Sequence, residues 1–333
     1  MATPTTNNQQ PTTLRDWIHA ARLRTLPLSM SGIIVGSFIA KWRLDNGIAN
    51  NHHTAAISHH WDSTVFALAI LVTLLYQVLS NFANDYGDGI KGTDKLRVNE
   101  AEQRAVASGR ITAKQMKYAV LLFSFLSLAA TVALLYQAFF KYGLMNEFYI
   151  FVGLGIACIL AAIGYTVGKR PYGYLGLGDI MVFIFFGLVS VGGSYFLFTK
   201  TFHWDILLPA TAIGMMSTAV LNLNNMRDIE SDRLSGKKTF ALRLGYRNAM
   251  IYEMVLLQLP IILILVFLMM NGLHTEGKYY AFIVMIMLFP TAALRRKILQ
   301  TKEPRLLDPF LKQIGIITMM MAVLLAVGLN YFK

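Results

Sequence analysis

Residues 65–94 read VFALAILVTLLYQVLSNFANDYGDGIKGTD, an apolar run that ends in an acidic, glycine-rich motif. The apolar part, 64–84, has the length of about 20 residues that an α-helix needs to cross the hydrocarbon core of a bilayer. The sequence therefore predicts an all-α polytopic membrane protein with nine transmembrane helices, near 26–43, 64–84, 116–139, 148–167, 175–199, 205–224, 249–270, 279–294 and 311–331.

Composition supports this class. The chain of 333 residues is 55% hydrophobic and 14% charged, and its mean hydropathy is +0.50, so it has too few polar side chains to cover a soluble globule. The single cysteine, Cys158, excludes a disulfide framework or a cysteine metal site built from one chain.

The N-terminal residues form a separate region. The stretch MATPTTNNQQPTT lacks the charged-then-apolar pattern of a cleaved signal. Leu14, Trp17 and Ile18 then recur at helical spacing beside arginines, a pattern typical of a helix lying on the membrane surface. We predict a cytoplasmic N-terminus with an interfacial helix over 1–25 and one transmembrane domain over 26–333.

The connections between spans alternate in charge. Most of the 30 Lys and Arg residues fall in the N-terminus and in 85–117, 168–174, 225–248 and 295–312. The positive-inside rule places these segments in the cytoplasm, and nine spans then place the C-terminus outside the cell membrane. The net charge of +12 is scattered over short loops, so it indicates topology and contact with anionic lipid rather than nucleic-acid binding. The remaining connections hold only Lys41, Arg43, Lys141, Lys200, Lys278 and Lys333.

Four histidines lie in one predicted external loop. They have no fixed turn and no carboxylate partner there, so a solvated loop explains them better than a zinc site, and we assign them no role. They are His52, His53, His59 and His60.

The carboxylates are concentrated. Of 18 Asp and Glu residues, eight lie in the cytoplasmic segments after the second and sixth spans. If the second span stays helical to its end, Asn81, Asn84, Asp85 and Asp88 share one face. Gly87, Gly89 and Gly92 then release the chain into a loop. Asn224, Asp228 and Asp232 are spaced four apart and form a second stripe. The corresponding Asp88 and Asp228 are 140 residues apart, as if one helical unit were used twice.

Carboxylates in one stripe repel each other unless a cation joins them, and oxygen ligands select hard ions such as Mg²⁺. A single stripe is more simply a solvated helix end with ion-paired neighbours. Two matched stripes on one membrane face favour a site for Mg²⁺ and a diphosphate. Tyr165 and Lys169 end the fourth span, four residues apart, and are candidates to bind the remaining phosphate charge, as are the basic residues Arg22, Arg24, Lys91 and Arg227.

The motifs resemble those of the UbiA superfamily of intramembrane aromatic prenyltransferases. They are RLRTLPLS (22–29), NDYGDGIKGTD (84–94), YTVGKR (165–170) and NNMRDIESD (224–232), with RAVASGRIT (104–112) and KKTFALRLG (237–245) following the two acidic motifs. The likeness covers nearly the whole chain. It implies helices around a lipid-open cavity in which Mg²⁺ is held by Asn84, Asp85, Asp88, Asn224, Asp228 and Asp232, with Asp94 also in the first motif. It further implies that the four aspartates Asp85, Asp88, Asp228 and Asp232 are catalytic.

The resemblance extends to substrates. Asp94 lies six residues beyond Asp88, with Lys91 and Gly92 between them, which is similar to the menaquinone branch of the superfamily. That branch transfers a polyprenyl group from polyprenyl diphosphate to 1,4-dihydroxy-2-naphthoate, with loss of CO₂ and pyrophosphate, giving demethylmenaquinone. The resemblance implies no obligatory protein partner.

Other functions remain open from the sequence. The aromatic acceptor could instead be 4-hydroxybenzoate. A cation-coupled transporter would tend to place its carboxylates near the bilayer midplane, whereas both motifs lie at span ends. CDP-alcohol phosphotransferases share the DxxDG start of Asp85 to Gly89, but the rest of their motif is missing.

Overall fold

Every regular element in the described residues is a helix, which confirms the predicted all-α class. The structure, a computed structural model, describes residues 12–48, 60–93, 104–274 and 279–331. Within these ranges, 8 helices are long and apolar enough to cross a membrane: Leu14–Asp45, Ser63–Lys91, Ala113–Tyr142, Met145–Gly164, Gly178–Thr199, Trp204–Arg227, Tyr246–Met270 and Pro304–Asn330. The chain is a multi-pass membrane protein.

The α-helical elements are named α1 to α13 in chain order. They are α1 (Leu14–Ala21), α2 (Leu26–Asp45), α3 (Ser63–Lys91), α4 (Ala113–Ala138), α5 (Met145–Gly164), α6 (Gly178–Val182), α7 (Gly193–Thr199), α8 (Leu207–Arg227), α9 (Ile229–Leu234), α10 (Phe240–Leu244), α11 (Tyr246–Met270), α12 (Leu288–Gln300) and α13 (Asp308–Asn330). A π-helical stretch, Phe183–Gly192, joins α6 to α7 in one spanning helix. The spanning helices pack mainly as neighbouring pairs, α3 with α4, α8 with α11 and α13 with α2.

The difference from nine predicted spans concerns one segment, 279–294. It is a 3₁₀-helix, Tyr279–Met287, that continues into α12. The apolar part ends before Arg295, Arg296 and Lys297, so this run, at 16 residues, is the shortest of the predicted spans.

Local sequence signals account for the starts of several helices. Thr13 and Asp16 form a capping box at α1, and Thr112 and Gln115 form one at α4. Asp62 accepts hydrogen bonds from two backbone N–H groups at the start of α3. Such caps satisfy donors that have no partner inside the helix.

The helix α1 lies against α3 through Ala20, Ala21 and Trp17, whose ring meets Phe82 edge-on with centroids 5.6 Å apart. Its other face leaves Leu14 and Ile18 exposed. Exposed apolar side chains beside basic residues suit a membrane interface, so the interfacial position of α1 stays a prediction that this geometry supports.

The helix α2 contacts the π-helical stretch and α7 at very short range. A Cβ atom added at Gly32 would lie 2.2 Å from Ser190 Oγ, and one at Gly36 would lie 2.1 Å from Ser194 Oγ. Only glycine fits at such a backbone approach. These two glycines therefore pack helices within the chain.

The helix α3 does not end at the first glycines of its motif. It continues through Gly87 and Gly89 to Lys91, and the chain turns at Gly92, where φ is +74°. The earlier glycines serve packing instead, because a Cβ at Gly87 would lie 2.4 Å from Thr166 Oγ1 and one at Gly89 2.5 Å from Val106 Cγ1. The expectation that all three glycines release the chain is thus wrong for Gly87 and Gly89.

The end of the bundle opposite the acidic motifs is fixed by its own polar network. The buried Arg43 of α2 donates to Tyr195 Oη at 3.1 Å, to Asn271 Oδ1 at 3.1 Å and to Asp205. Arginine can satisfy several acceptors at once through its planar fork. The network joins α2, α7, the start of α8 and the end of α11.

Candidate active site

The first acidic motif lies on the last turns of α3, where Asp85 is almost completely buried. Its Oδ2 accepts from the backbone N–H of Ala105 at 3.1 Å, and its Oδ1 accepts from that of Val106 at 3.0 Å. A carboxylate satisfied by two backbone donors fixes the chain that supplies them. Asp85 therefore anchors the segment that begins at Arg104 to the end of α3.

Asp88, one turn further on, is equally buried, and two other segments donate hydrogen bonds to its carboxylate. Arg104 Nη1 donates to its Oδ2, and Tyr174 Oη donates to its Oδ1 at 2.7 Å. Arg104 also donates to the backbone oxygen of Asn84 at 2.8 Å. The carboxylate of Asp88 is thus held between a guanidinium group and a phenol.

The second acidic motif spans the junction of α8 and α9. The helix α8 ends at Arg227, but the backbone N–H of Asp228 still bonds to Asn224 at 3.1 Å and that of Asp232 to Asp228 at 2.9 Å. Helical hydrogen bonds therefore continue across the junction, so Asn224, Asp228 and Asp232 follow one another at one-turn intervals, as predicted.

Arg227 forms a bidentate pair with Asp228, with N···O distances of 2.7 and 2.8 Å, and donates to Asn224 Oδ1 at 2.9 Å and to Asp308. Arg24 reaches the same Asp308 at 3.4 Å. Asp308, at the start of α13, thus pairs with Arg227 of α8 and with Arg24 of the turn between α1 and α2.

Lys237 joins the two motifs. Its Nζ lies 3.9 Å from Asp88 Oδ2 and 3.9 Å from Asp232 Oδ1. The side chain is buried, and so are both carboxylates. One ammonium group therefore stands between motifs that are 140 residues apart in the sequence, and both predicted stripes reach it.

A cavity of about 390 Å³ opens beside this junction. Its apolar walls come from α2, α3, α4, α5 and the π-helical stretch, and they include Ile33, Val72, Leu134, Phe151 and Phe186. Its polar end is lined by Arg22, Arg24, Asn84, Arg104, Tyr165, Asn224 and Lys237. The cavity therefore combines a long hydrophobic surface with a cluster of cationic and amide groups.

Tyr165 and Tyr172 remain neutral donors at this end. Burial raises the pKa of Tyr165, and the nearby carboxylates of Asp88, Asp179 and Asp232 raise it further. Burial also raises the pKa of Tyr172, whose hydroxyl donates to the backbone oxygen of Ala161 at 2.7 Å. Loss of a proton from either phenol would add negative charge to a buried, already acidic region.

Some predicted diphosphate-binding residues do not line the cavity. Lys169 is exposed. Lys91 donates to the backbone oxygen of Thr166 at 2.8 Å, and Arg227 is engaged by the two acidic side chains already described. Arg22, Arg24 and Tyr165 do line the cavity. Asp94, His52, His53 and His59 lie outside the described residues, and His60 is exposed.

Three residues of the site were not among the predicted ones: Arg104, Tyr174 and Lys237. Arg104 and Lys237 begin the two segments, RAVASGRIT and KKTFALRLG, that follow the acidic motifs. Their equivalent positions, each at the start of the segment after an acidic motif, are the sequence signal that could have identified them as site residues. Tyr174 carried no such signal, because it lies in a connection rich in tyrosine and glycine.

The donor set fits Mg²⁺ in its chemistry. Within the described ranges, no three His, Cys, Asp or Glu side chains are grouped as ready metal ligands. Mg²⁺ usually takes only one or two protein carboxylates and completes its shell with water and phosphate oxygens. Asp88 and Asp232 supply two carboxylates toward one point, and Lys237 shows that this point accommodates positive charge.

Fold and site together define an intramembrane protein that opposes two acidic motifs at the polar end of an apolar cavity. The chain belongs to the UbiA prenyltransferase family, whose sequence model matches residues 53–314.

Two relatives and one solved structure illustrate the relationship. A 1,4-dihydroxy-2-naphthoate octaprenyltransferase of Haemophilus influenzae is 38% identical over 95% of this chain and 96% of its own length. One of Escherichia coli is 38% identical over 92% of each chain. The structure of a UbiA homolog from Archaeoglobus fulgidus, bound to DMAPP and Mg²⁺, covers 93% of this chain and 99% of its own with a TM-score of 0.53 at 15% identity. This last likeness shows a shared fold.

Proposed function

We propose that the protein is a Mg²⁺-dependent prenyltransferase that transfers a polyprenyl group from polyprenyl diphosphate to 1,4-dihydroxy-2-naphthoate. The observation that carries the proposal is the cavity, whose apolar walls meet a cluster of basic and amide groups beside two opposed acidic motifs. A polyprenyl diphosphate matches this cavity, because its long hydrocarbon tail suits the apolar walls and its multiply charged head suits the polar end. The identity to the naphthoate octaprenyltransferases supports the choice of reaction.

At the polar end, Arg104 and Lys237 line the cavity, and both contact Asp88 Oδ2. They are placed to bind diphosphate oxygens while the aspartates hold the metal, with Asp88 and Asp232, which share Lys237, as the first two ligands. Asn84 and Asn224 add neutral oxygen ligands at the cavity wall. Bound Mg²⁺ would supply charge stabilisation for the departing pyrophosphate. Direct ligation by Asp85 and Asp228 stays a prediction.

The apolar walls act on the other half of the substrate. They bury the isoprenoid tail and exclude water from the allylic carbon as the C–O bond to the diphosphate breaks and its electron pair leaves with pyrophosphate. Hydrolysis is thereby suppressed in favour of attack by the aromatic ring.

The two candidate acceptors differ in the group that the ring must lose. In 1,4-dihydroxy-2-naphthoate, the carbon that bears the carboxylate can form the new C–C bond and then release CO₂. 4-Hydroxybenzoate requires loss of a ring proton instead. The carboxylate of the acceptor is attracted by Arg22, Arg24 and Lys312 at the cavity rim.

The electron balance identifies the immediate product. The pair of the broken C–CO₂ bond returns to the ring and restores its aromaticity, so no oxidant takes part. The product is demethylmenaquinol, and removal of two electrons and two protons elsewhere converts it to demethylmenaquinone.

We further propose that the N-terminus and this site face the cytoplasm, with residues 26–333 forming one catalytic domain. The basic connections around Arg24, Arg104 and Lys237 all meet at one end of the bundle, which supports a single inner face. Lys238→Cys in a Cys158→Ala background should react with an impermeant thiol reagent in inside-out vesicles but not in intact cells. Labelling from outside would reverse the topology.

The reaction is tested with purified protein, MgCl₂, polyprenyl diphosphates of several lengths, and either 1,4-dihydroxy-2-naphthoate labelled at its carboxyl group or 4-hydroxybenzoate. We expect a prenylated naphthalenediol by mass spectrometry and one labelled CO₂ per product, both abolished by EDTA. Prenylation of 4-hydroxybenzoate alone, or a naphthoate product that keeps its carboxyl group, would contradict the proposal.

A further inference from the structure

We propose that Tyr174 is a positioning residue that connects the two acidic motifs and sets the orientation of Asp88 and of two lysines. This inference rests on the proposed function, because it assigns Tyr174 to the binding of the metal and the diphosphate. Tyr174 lies in the connection between α5 and α6, outside both motifs.

The hydroxyl of Tyr174 is held at two points of the first motif. It donates to Asp88 Oδ1 at 2.7 Å and lies 2.6 Å from Thr93 Oγ1. Since Tyr174 donates its only proton to the carboxylate, the Thr93 hydroxyl donates to the phenol. The chain Thr93 to Tyr174 to Asp88 thus fixes which way the carboxylate points.

The ring of Tyr174 contacts a basic group of the first motif and one from the segment that follows the second motif. Lys91 Nζ lies 4.5 Å from its centroid and Lys237 Nζ lies 5.2 Å from it. Both distances are within the range of cation–π attraction. One aromatic ring therefore draws the two ammonium groups together, although like charges repel each other.

The backbone around Tyr174 is itself fixed. It lies in the 3₁₀ turn Tyr172–Leu175, which closes at Gly176 with φ of +76°. The Tyr174 backbone oxygen accepts from the N–H of Lys238 at 3.0 Å. A Cβ at Gly173 would lie 2.6 Å from Tyr165 O, so the turn is pressed against the end of α5.

These contacts give Tyr174 a defined effect. Groups that hydrogen-bond to a metal-ligating carboxylate typically change metal affinity or activity by about 10- to 100-fold when removed. The ring acts separately, because it places Lys237, which lines the cavity and can meet the diphosphate. Hydroxyl and ring can therefore be tested apart.

Tyr174→Phe removes the hydroxyl and keeps the ring, whereas Tyr174→Leu removes both. Binding of Mn²⁺, as a probe for Mg²⁺, is measured by electron paramagnetic resonance in the presence of farnesyl thiolodiphosphate. We expect Tyr174→Phe to weaken Mn²⁺ binding about 10-fold or more, with an unchanged KM for the aromatic acceptor. Tyr174→Leu should in addition weaken binding of the thiolodiphosphate at saturating Mn²⁺.

Tyr246→Phe is the matched control, because the hydrogen bond that the described residues show for its hydroxyl is a long one, 3.5 Å to Thr301 O. Should Tyr174→Phe fail to fold, Thr93→Val removes the second partner of the same hydroxyl and should weaken Mn²⁺ binding in the same direction. Folded Tyr174→Phe with unchanged Mn²⁺ binding, or equal losses in Tyr174→Phe and Tyr246→Phe, would overturn the proposal. Mn²⁺ and thiolodiphosphate binding can be measured without turnover. A failure of the wild-type protein to prenylate naphthoate would therefore be distinguishable from a failure of this proposal.

Discussion

Lys237→Met removes an ammonium group that contacts both acidic motifs. Each N···O distance is 3.9 Å, which at an effective dielectric constant of about 20 gives a gross attraction of about 4 kcal/mol per pair. Two pairs give about 8 kcal/mol, and the cost of desolvating the ammonium group offsets several kcal/mol of that. We expect a net loss of about 3 kcal/mol, similar to the loss found when one partner of a buried ion pair is removed.

The same variant should lose affinity for the diphosphate. A hydrogen bond to a charged group contributes about 1.5–3 kcal/mol, so the Kd for a polyprenyl thiolodiphosphate should rise about 10- to 100-fold. Thermal unfolding should move down by about 6 °C, from about 2 °C per kcal/mol for a chain of this size.

Lys238→Met is the control for this prediction, since Lys238 is the next residue, has the same side chain and is exposed. Thermal melts and thiolodiphosphate binding are measured on both proteins in the same lipid nanodiscs. If Lys237→Met and Lys238→Met behave alike in both measurements, the assignment of Lys237 as the link between the motifs is refuted.

Three further substitutions test the site and its support. Asp88→Asn should abolish Mg²⁺-dependent prenyl transfer in a folded protein. Asp85→Asn should mainly lower stability, by about 1–3 kcal/mol, because an amide oxygen cannot replace both carboxylate oxygens as acceptors for the two backbone N–H groups. Turnover assays and thermal melts distinguish the two effects, and normal turnover in Asp88→Asn would contradict the proposed site. Lys169→Met should leave kcat/KM within about twofold of wild type, because its side chain is exposed and outside the cavity; a larger loss would return it to the diphosphate site. Gly87→Ala should destabilise the fold by about 1–3 kcal/mol, because the new methyl group would lie 2.4 Å from Thr166 Oγ1, and an unchanged melting temperature would disprove this close packing.

The sequence was sufficient for the features that repeat or alternate. Apolar runs predicted the eight spans found in the described residues and one more, and the paired acidic stripes predicted two aspartates, Asp88 and Asp232, that reach the same ammonium group. Where helical spacing alone decides, as between Asn224 and Asp228, the expected geometry is present even across a helix junction.

The sequence was not sufficient to assign different roles to nearby side chains of the same type. Lys237 and Lys238 are adjacent and chemically identical, and only the path of the chain after α9 buries the first and exposes the second. Asp85 and Asp88 likewise belong to one motif, yet one accepts from backbone donors and the other from side chains. Tertiary contacts between distant segments decide these roles, and such contacts leave no periodic trace in the sequence.

The close contact of Gly32 and Gly36 with Ser190 and Ser194 has a consequence for how a long lipid enters the protein. Helices that meet at backbone distance cannot separate without losing many contacts at once, so the side of the cavity formed by α2 and the π-helical stretch is rigid. The helix α5 also lines the cavity, through Phe151, and buries little of its surface against other helices. If the proposed polyprenyl tail exchanges with the surrounding bilayer past α5, mutations that tighten α5 against its neighbours should slow product release.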